Sequence, residues 1–405
     1  MIQSFSDGRH PAQCLVSVPC GGTVVLARLN RRTINSLGLA LTPLICWQIK
    51  LVNWLSKLYS LLKVCWRLHC ARAVVFLTIT VLNALPALAI SERRMLTLHD
   101  ATPLQMQVWS AATPQRIVIG VHGFNDYSKA FDPLARSLVA DLQATVYAYD
   151  QRGFGANPSP GVWPGADRLI SDLREVVDQL RDRHPGLPIT VIGESMGGAV
   201  VLRASSESPG LPVSQLILKA PALWGAETMP WFQRAGLQVM NAMAPNFTFS
   251  GGGARTLGIK PTDDPEVARD LSRDPLFIKE TRVSSLAGVT GLMGQALHHP
   301  LSFPTPMLVL YGLNDRIIPH APVCSWLSRL DGESSSLPGH VQFVIYPEGW
   351  HLLTRQLHAA EVIRDITQWI RSSTPLQRVG SLPSGPLAGT ALLTVQAARQ
   401  KVCQR

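Results

Sequence analysis

The chain has 405 residues, 46% of them apolar and 16% charged, so it can bury a sizeable core and is not disordered throughout. Its formal charge of +10 is unevenly spread: residues 1–94 carry 11 basic and 2 acidic side chains, residues 371–405 carry 5 basic and none acidic, and residues 95–370 carry 21 basic and 25 acidic. A mildly acidic body has no electrostatic footprint for phosphate backbones, which excludes nucleic-acid binding as its function.

In chain order, the first patterned stretch lies within residues 37–67. Lys50, Asn53, Lys57, Ser60 and Lys63 recur there at helical spacing among Leu, Ile, Trp and Val, the pattern of a basic amphipathic helix lying on a membrane. The apolar run Ala73 to Ile90 follows, flanked by Arg67 and Arg72 and closed by Ala87-Leu88-Ala89. It resembles a secretory signal peptide cleaved after Ala89, and Asn83 and Pro86 make it a poor membrane span. Export signal and uncleaved anchor both stay open. Either one puts the protein in an exported, periplasmic or membrane-surface location; a translation start downstream of Met1 would place the signal at the N-terminus, and the protein would be cytoplasmic if that segment is itself a mis-assigned start. Residues 1–94 are thus read as a basic extension, 95–370 as the folded body and 371–405 as a disordered basic tail rich in Ser, Pro and Gly. The body holds a single cysteine, Cys324, and is expected to have no internal disulfide; no Cys/His cluster has metal-binding spacing.

Within the body, short β-branched runs alternate with amphipathic ones. Strands are predicted at Arg116–Val121, Thr145–Tyr149, Ile189–Ile192, Leu216–Leu218, Met307–Tyr311 and Val341–Tyr346, with less regular ones at Met95–Leu98 and Gln105–Trp109. Helices are predicted at Asp132–Leu142, Asp167–Arg183, Met196–Ser206 and His351–Ile370. Nearly continuous apolar strands separated by helices predict an α/β fold: a mostly parallel sheet covered on both faces, with an antiparallel edge and the ligand site at the carboxyl ends of the strands.

The unusual residues collect at those ends. The strand Ile189–Ile192 runs into Gly193-Glu194-Ser195-Met196-Gly197, a G-x-S-x-G between a strand and a helix. Glycines two positions either side of the serine let the chain double back and lift the hydroxyl clear of the sheet, at a helix N-terminus that favours developing negative charge. A serine needs a histidine base held by a carboxylate. Asp315 follows the strand Met307–Tyr311, and His351 follows Val341–Tyr346 and is read as opening the last helix. Their alternatives are a turn aspartate and a helix-start histidine; His358 and Glu348 are weaker rivals as base and acid. The oxyanion hole is expected from the backbone N–H groups of Met196 and of Phe124 in His122-Gly123-Phe124-Asn125-Asp126, with His122 bracing that loop. Asp150-Gln151-Arg152-Gly153-Phe154-Gly155 reads as a structural turn with Asp and Arg hydrogen bonds.

The segments HGFND, YDQRGFG, GESMGG, YGLND and EGWH together resemble the serine α/β-hydrolases of the monoacylglycerol lipase and lysophospholipase branch, over about residues 95–370. The resemblance implies a triad of Ser195, Asp315 and His351 and an oxyanion hole at Phe124 and Met196; with these residues the expected mechanism is double displacement through an acyl-enzyme, requiring no metal or cofactor. Glu194 stands where many relatives carry His, and Phe124 is bulkier than the small residue often found there. Residues 223–303 read as a helical cap that shields the acyl-enzyme from water. Trp224, Trp231, Phe232, Met240, Met243, Phe247 and Phe249 are its acyl-pocket candidates, half or more of them expected to be ordinary cap core. An apolar cap on a mildly acidic body predicts a neutral or zwitterionic lipid-like ester as substrate. Aminopeptidases, C–C hydrolases and acyltransferases share this fold and triad, so the bond cleaved stays open. A free amino terminus would need a carboxylate pocket, for which Asp263, Asp264 and Glu266 are the candidates, and a non-catalytic binding protein would be expected to lose the nucleophile or the base.

Overall fold

The computed structural model describes residues 4–5, 13–20, 23–30, 51, 54–55, 91–207, 209–250, 260–298, 305–332, 341–372 and 392–404. The chain divides into two units, Met1–Pro86 and Ala87–Arg405. In the first, β1 (Ser4–Phe5), β2 (Gln13–Cys20) and β3 (Thr23–Asn30) form an antiparallel sheet in that order. Of the stretch 37–67 only Leu51, Trp54 and Leu55 are described, helical and exposed, and the signal-like segment 73–90 lies outside the described residues. No helix among the described residues is long and apolar enough to cross a membrane.

The second unit is built on an eight-stranded sheet in the order β13-β12-β9-β8-β6-β7-β5-β4. Its parallel part consists of β6 (Arg116–Val121), β7 (Ala144–Tyr149), β8 (Ile189–Glu194), β9 (Gln215–Lys219), β12 (Met307–Gly312) and β13 (Val341–Tyr346). The antiparallel edge is β5 (Pro103–Trp109), paired with β7, and then β4 (Ser91–Thr97). Every residue of β7, β8, β9, β12 and β13 is buried, because helices cover both faces.

Strand residues alternate between the two cores. Ile117, Ile119 and Val121 face the side of α2 (Ala166–Arg183) and α3 (Met196–Ser206), while Val118 faces the side of α1 (Asp132–Leu142) and α8 (Ala359–Ser372). On α2 the buried residues Leu169, Ile170, Leu173, Val176, Val177 and Leu180 fall at spacings of three and four, one apolar stripe against the sheet. Each such fully buried apolar side chain contributes about 1.5–3 kcal/mol relative to exposure. Helix α1 starts where Asp132, next to Pro133, accepts from the Trp109 indole at 3.0 Å and from Arg136 at 2.9 Å.

Three expectations are corrected. The predicted cap contains α4 (Trp231–Met243), the hairpin β10 (Thr248–Ser250) with β11 (Glu280–Arg282), and α5 (Pro265–Arg273), but α6 (Val283–His298) is a layer of the main domain. Its Val289, Leu292, Ala296 and Leu297 are buried in the core shared with α3. The cap proper has no apolar core on its helices: nothing on α4 or α5 is buried.

The second correction concerns the last helix, which begins at Ala359 rather than His351. Residues 351–358 form successive turns instead. Leu352 and Leu353 are buried, and backbone groups of this segment bond elsewhere: Leu352 N–H to Pro261 O at 2.9 Å, and Arg355 O from the Thr262 hydroxyl at 2.7 Å. The apolar pattern of the segment reflects burial of a loop.

The third lies in the tail. Residues 373–391 are outside the described residues, but 392–404 are folded onto the body. Leu393 exchanges backbone hydrogen bonds with Phe343 at the open edge of β13. Thr394 then caps α9 (Val395–Cys403), whose Ala398 and Val402 are buried against α7 (His320–Gly332). Arg399 pairs with Asp331, and Cys403 forms a disulfide with Cys324 of α7. A nine-residue helix with two buried apolar positions carries too little pattern to be read as folded, and its tie to the body is covalent. Cys403→Ser is expected to lower unfolding stability by about 2–4 kcal/mol, read from urea denaturation, and a reductant is expected to do the same to the parent protein.

Candidate active site

The sharp turn between β8 and α3 carries Ser195 at φ 53° and ψ −116°, outside the usual regions for a side-chain-bearing residue. The surrounding backbone holds it there. Ser195 N–H donates to Lys219 O at 2.9 Å, and Ser195 O accepts from Ala222 N–H at 3.0 Å and Ala199 N–H at 3.1 Å. The flanking glycines are sterically required. A Cβ on Gly193 would lie 2.6 Å from Gly197 O, and one on Gly197 would lie 2.1 Å from Val121 O and 2.6 Å from His122 O.

Three strand ends deliver three side chains to one buried point. His351 Nε2 lies 2.9 Å from Ser195 Oγ, and His351 Nδ1 lies 2.7 Å from Asp315 Oδ2. The other carboxylate oxygen, Asp315 Oδ1, accepts from the N–H groups of Ile317 at 2.8 Å and Ile318 at 2.9 Å, which fixes its plane. Asp315 thus holds Nδ1 as the donor, leaving Nε2 free to accept the serine proton. Burial alone would push the imidazole toward neutrality, but the charge and hydrogen bond of Asp315, helped by Glu194, outweigh it and hold His351 above its ordinary value.

The loop after β6 lies against the turn: a Cβ on Gly123 would lie 3.2 Å from Ser195 Cβ. Met196 is the first residue of α3, where an N–H has no acceptor within the helix. His122 is buried and braces the loop, with Nε2 accepting from Gln151 N–H at 2.8 Å and Nδ1 donating to Gly123 O at 2.7 Å. Burial pushes its imidazole down, toward the neutral form. The Phe124 ring packs edge-on to Phe154, at 5.7 Å between centroids, and beside Trp163. The YDQRGFG turn is structural, but its Asp and Arg serve different partners. Asp150 accepts from Ser128 and Ala156 N–H groups, while Arg152 pairs with Asp172 and Asp100.

The rival residues stand apart. His358 is exposed and faces Glu348 at 3.7 Å. Asp264 caps α5 through Glu266 and Val267 N–H groups, and Asp263 accepts from Leu357 N–H. Of the acyl-pocket candidates, Trp224 is half-buried against the core, whereas Trp231 is 73% and Met243 80% exposed. Phe232, Phe247 and Phe249 are exposed too, so the expected burial of these residues in a cap core does not occur. The cap is fastened at both ends of the site, by Ile278 N–H to Asn125 O at 2.9 Å and Tyr127 to Asp274 at 2.6 Å on one side, and by the Pro261 and Thr262 bonds to residues 352 and 355 on the other.

Sequence reasoning missed the buried charges beside the turn. Glu194 pairs with Lys219 and Arg355, and Arg355 also pairs with Asp126. Burial would raise the Glu194 carboxyl, but the two cations and their hydrogen bonds hold it at about 2. The available signal was Lys219, a lone charge between the apolar stretches QLIL and APALW.

Residues 112–357 match the serine aminopeptidase, S33 family (Hydrolase_4), and the chain belongs to that family. A monoacylglycerol lipase of Mycolicibacterium smegmatis is 27% identical over 268 residues, covering 65% of this chain and 91% of the relative. A human monoglyceride lipase is 23% identical, covering 70% and 92%. Among solved structures, a soluble variant of Saccharomyces cerevisiae monoglyceride lipase in complex with a substrate analog superposes with a TM-score of 0.58 at 19% identity, covering 70% of this chain and 96% of that one. The protein is a carboxylic-ester hydrolase on the α/β-hydrolase fold, of the monoacylglycerol-lipase-like branch.

The raised His351 value gives a direct check. The ring is expected to titrate above about 6.5 in NMR spectra of the folded protein, and its protonated form, better stabilised folded than unfolded, adds stability below that pH that is lost as pH rises through the folded value.

Proposed function

We propose that the enzyme hydrolyses monoacylglycerol- or lysophospholipid-like esters through an acyl-enzyme on Ser195. The observation that carries the reading is the continuous chain Ser195 Oγ, His351, Asp315 on a strained turn, with hydrogen bonds of 2.9 and 2.7 Å. His351 takes the Ser195 proton as the oxygen attacks the ester carbonyl, and the N–H groups of Phe124 and Met196 hold the oxyanion. His351 returns the proton to the leaving alcohol; a water molecule, deprotonated by His351, then releases the fatty acid. Asp315 orients the ring and stabilises its charged form. The exposed apolar surface of α4 and the β10 hairpin supports lipid-like substrates and action at a lipid surface. The names of the relatives support the same substrate class.

The aminopeptidase reading has little support here, because Asp263 and Asp264 are committed to backbone N–H groups. Working in an oxidising compartment, exported or at a membrane surface through residues 1–94, is part of the proposal; the Cys324–Cys403 disulfide supports the oxidising setting.

A panel of monoacylglycerols, lysophospholipids and an aminoacyl anilide, run with the parent enzyme and Ser195→Ala, tests the proposal. Glycerol-ester or lysophospholipid hydrolysis is expected to exceed anilide hydrolysis, and Ser195→Ala to lose on the order of 10⁴-fold in kcat. Faster anilide cleavage, or an active Ser195→Ala, would refute it.

A further inference from the structure

Behind the nucleophile lies a charge cluster that proton transfer does not use. Asp126, Glu194 and Lys219 are buried, and the Arg355 side chain is 9% exposed. Arg355 Nη2 donates to Asp126 Oδ2 and to Glu194 Oε1, each at 2.6 Å. Lys219 Nζ donates to Glu194 Oε2 at 2.6 Å and to Thr354 Oγ1 at 2.9 Å, and lies 4.8 Å from the centre of the Phe131 ring. Two cations balance two carboxylates, so the cluster can stay ionised out of water.

Each member belongs to a different part of the site. Glu194 immediately precedes Ser195, and Asp126 follows Phe124 by two residues. Thr354 and Arg355 follow His351 by three and four residues, and Lys219 carries the carbonyl that accepts from Ser195 N–H. The histidine loop, residues 351–358, has no helix or strand to fix its register against the nucleophile turn. Its bonds at Leu352 N–H, Arg355 O and Leu357 N–H run to residues 261–263 and not to the nucleophile turn, and apolar contact at Leu352 and Leu353 is non-directional, so neither sets the register against that turn.

We infer that Arg355 is a positioning residue of the reaction: by bridging Asp126 and Glu194 it clamps the histidine loop onto the nucleophile turn and the Phe124 loop, so that His351 Nε2 meets Ser195 Oγ. The inference rests on the Ser195 reading above. Lys219 holds the second Glu194 oxygen and keeps that carboxylate aimed. A displacement of about 1 Å in such a geometry costs on the order of 10²-fold in rate.

The clamp also sets the field at the imidazole. The charged and titratable groups facing it are Asp315 on the acid loop, Ser195 and Glu194 at the nucleophile turn and Arg355 on its own loop, with Lys219, Asp126 and His122 in the shell beyond. Glu194 favours the imidazolium and Arg355 opposes it. A residue that served only to hold the fold would move neither kcat alone nor the pH at which His351 loses its proton.

The test measures kcat and KM against pH for Arg355→Met, Arg355→Lys and Glu194→Gln on a soluble p-nitrophenyl ester, with thermal unfolding of each variant alongside. Arg355→Met is expected to lose on the order of 10²-fold in kcat with KM within about threefold, and its acid limb to move to higher pH. Arg355→Lys keeps the charge, so it is expected to restore the limb and part of kcat. Glu194→Gln is expected to move the limb to lower pH. A folded Arg355→Met with the parent's kcat and acid limb would overturn the inference. Should Arg355→Met fail to fold, Arg355→Lys and Glu194→Gln decide: parental kcat in the first or an unmoved limb in the second overturns it. An active Ser195→Ala would instead sink the underlying nucleophile reading, whatever the Arg355 variants do.

Discussion

At Gly197 the chain leaving β8 presses against the end of β6, so closely that a methyl group there would sit 2.1 Å from the Val121 carbonyl oxygen. That approach brings the loop after β6 and the turn after β8 into contact, and it forces Ser195 into a positive-φ conformation that only surrounding structure can maintain. The backbone bonds from Ser195 to Lys219 and Ala222 do the same work from the β9 side. The Ser195 turn is therefore specified by packing between three neighbouring strands, and the sheet order β9-β8-β6 is what makes those strands neighbours.

From that fixed point the geometry of the candidate site extends across the sheet by electrostatics. Asp315 lies at the end of β12 and His351 on the loop after β13, and a 2.7 Å bond joins them. Opposing charges then fasten the histidine loop to the turn and to the loop after β6, and the cap is tied to these same two loops. Loops that would move independently in an open α/β sheet are linked here into one assembly.

Much of this was legible in the sequence. The parallel strands announced themselves as short β-branched runs, because strands buried on both faces must be apolar throughout. Ser195, Asp315 and His351 stood out because each chemistry-bearing residue sat just beyond such a run. The clamp was not legible: Asp126, Glu194, Lys219 and Arg355 are spread over 230 positions, and only the fold shows that their charges meet. The histidine loop imitated a helix because its buried Leu352 and Leu353 continue the spacing of α8. The folded end of the tail was hidden for another reason, since its attachment depends on a bond between cysteines 79 residues apart and on two backbone hydrogen bonds to Phe343. The cap misled in the opposite sense: aromatic and Met residues at helical spacing usually pack inward, whereas on α4 Trp231, Phe232 and Met243 face outward and only Met240 is half-buried.

The central claim is that one buried serine, activated by His351, carries the chemistry. Treating the protein with a fluorophosphonate and mapping the adduct by peptide mass spectrometry tests it most directly. The account predicts one adduct per chain, on Ser195, formed at a rate that falls as His351 becomes protonated. No adduct, or an adduct on another residue, would contradict it.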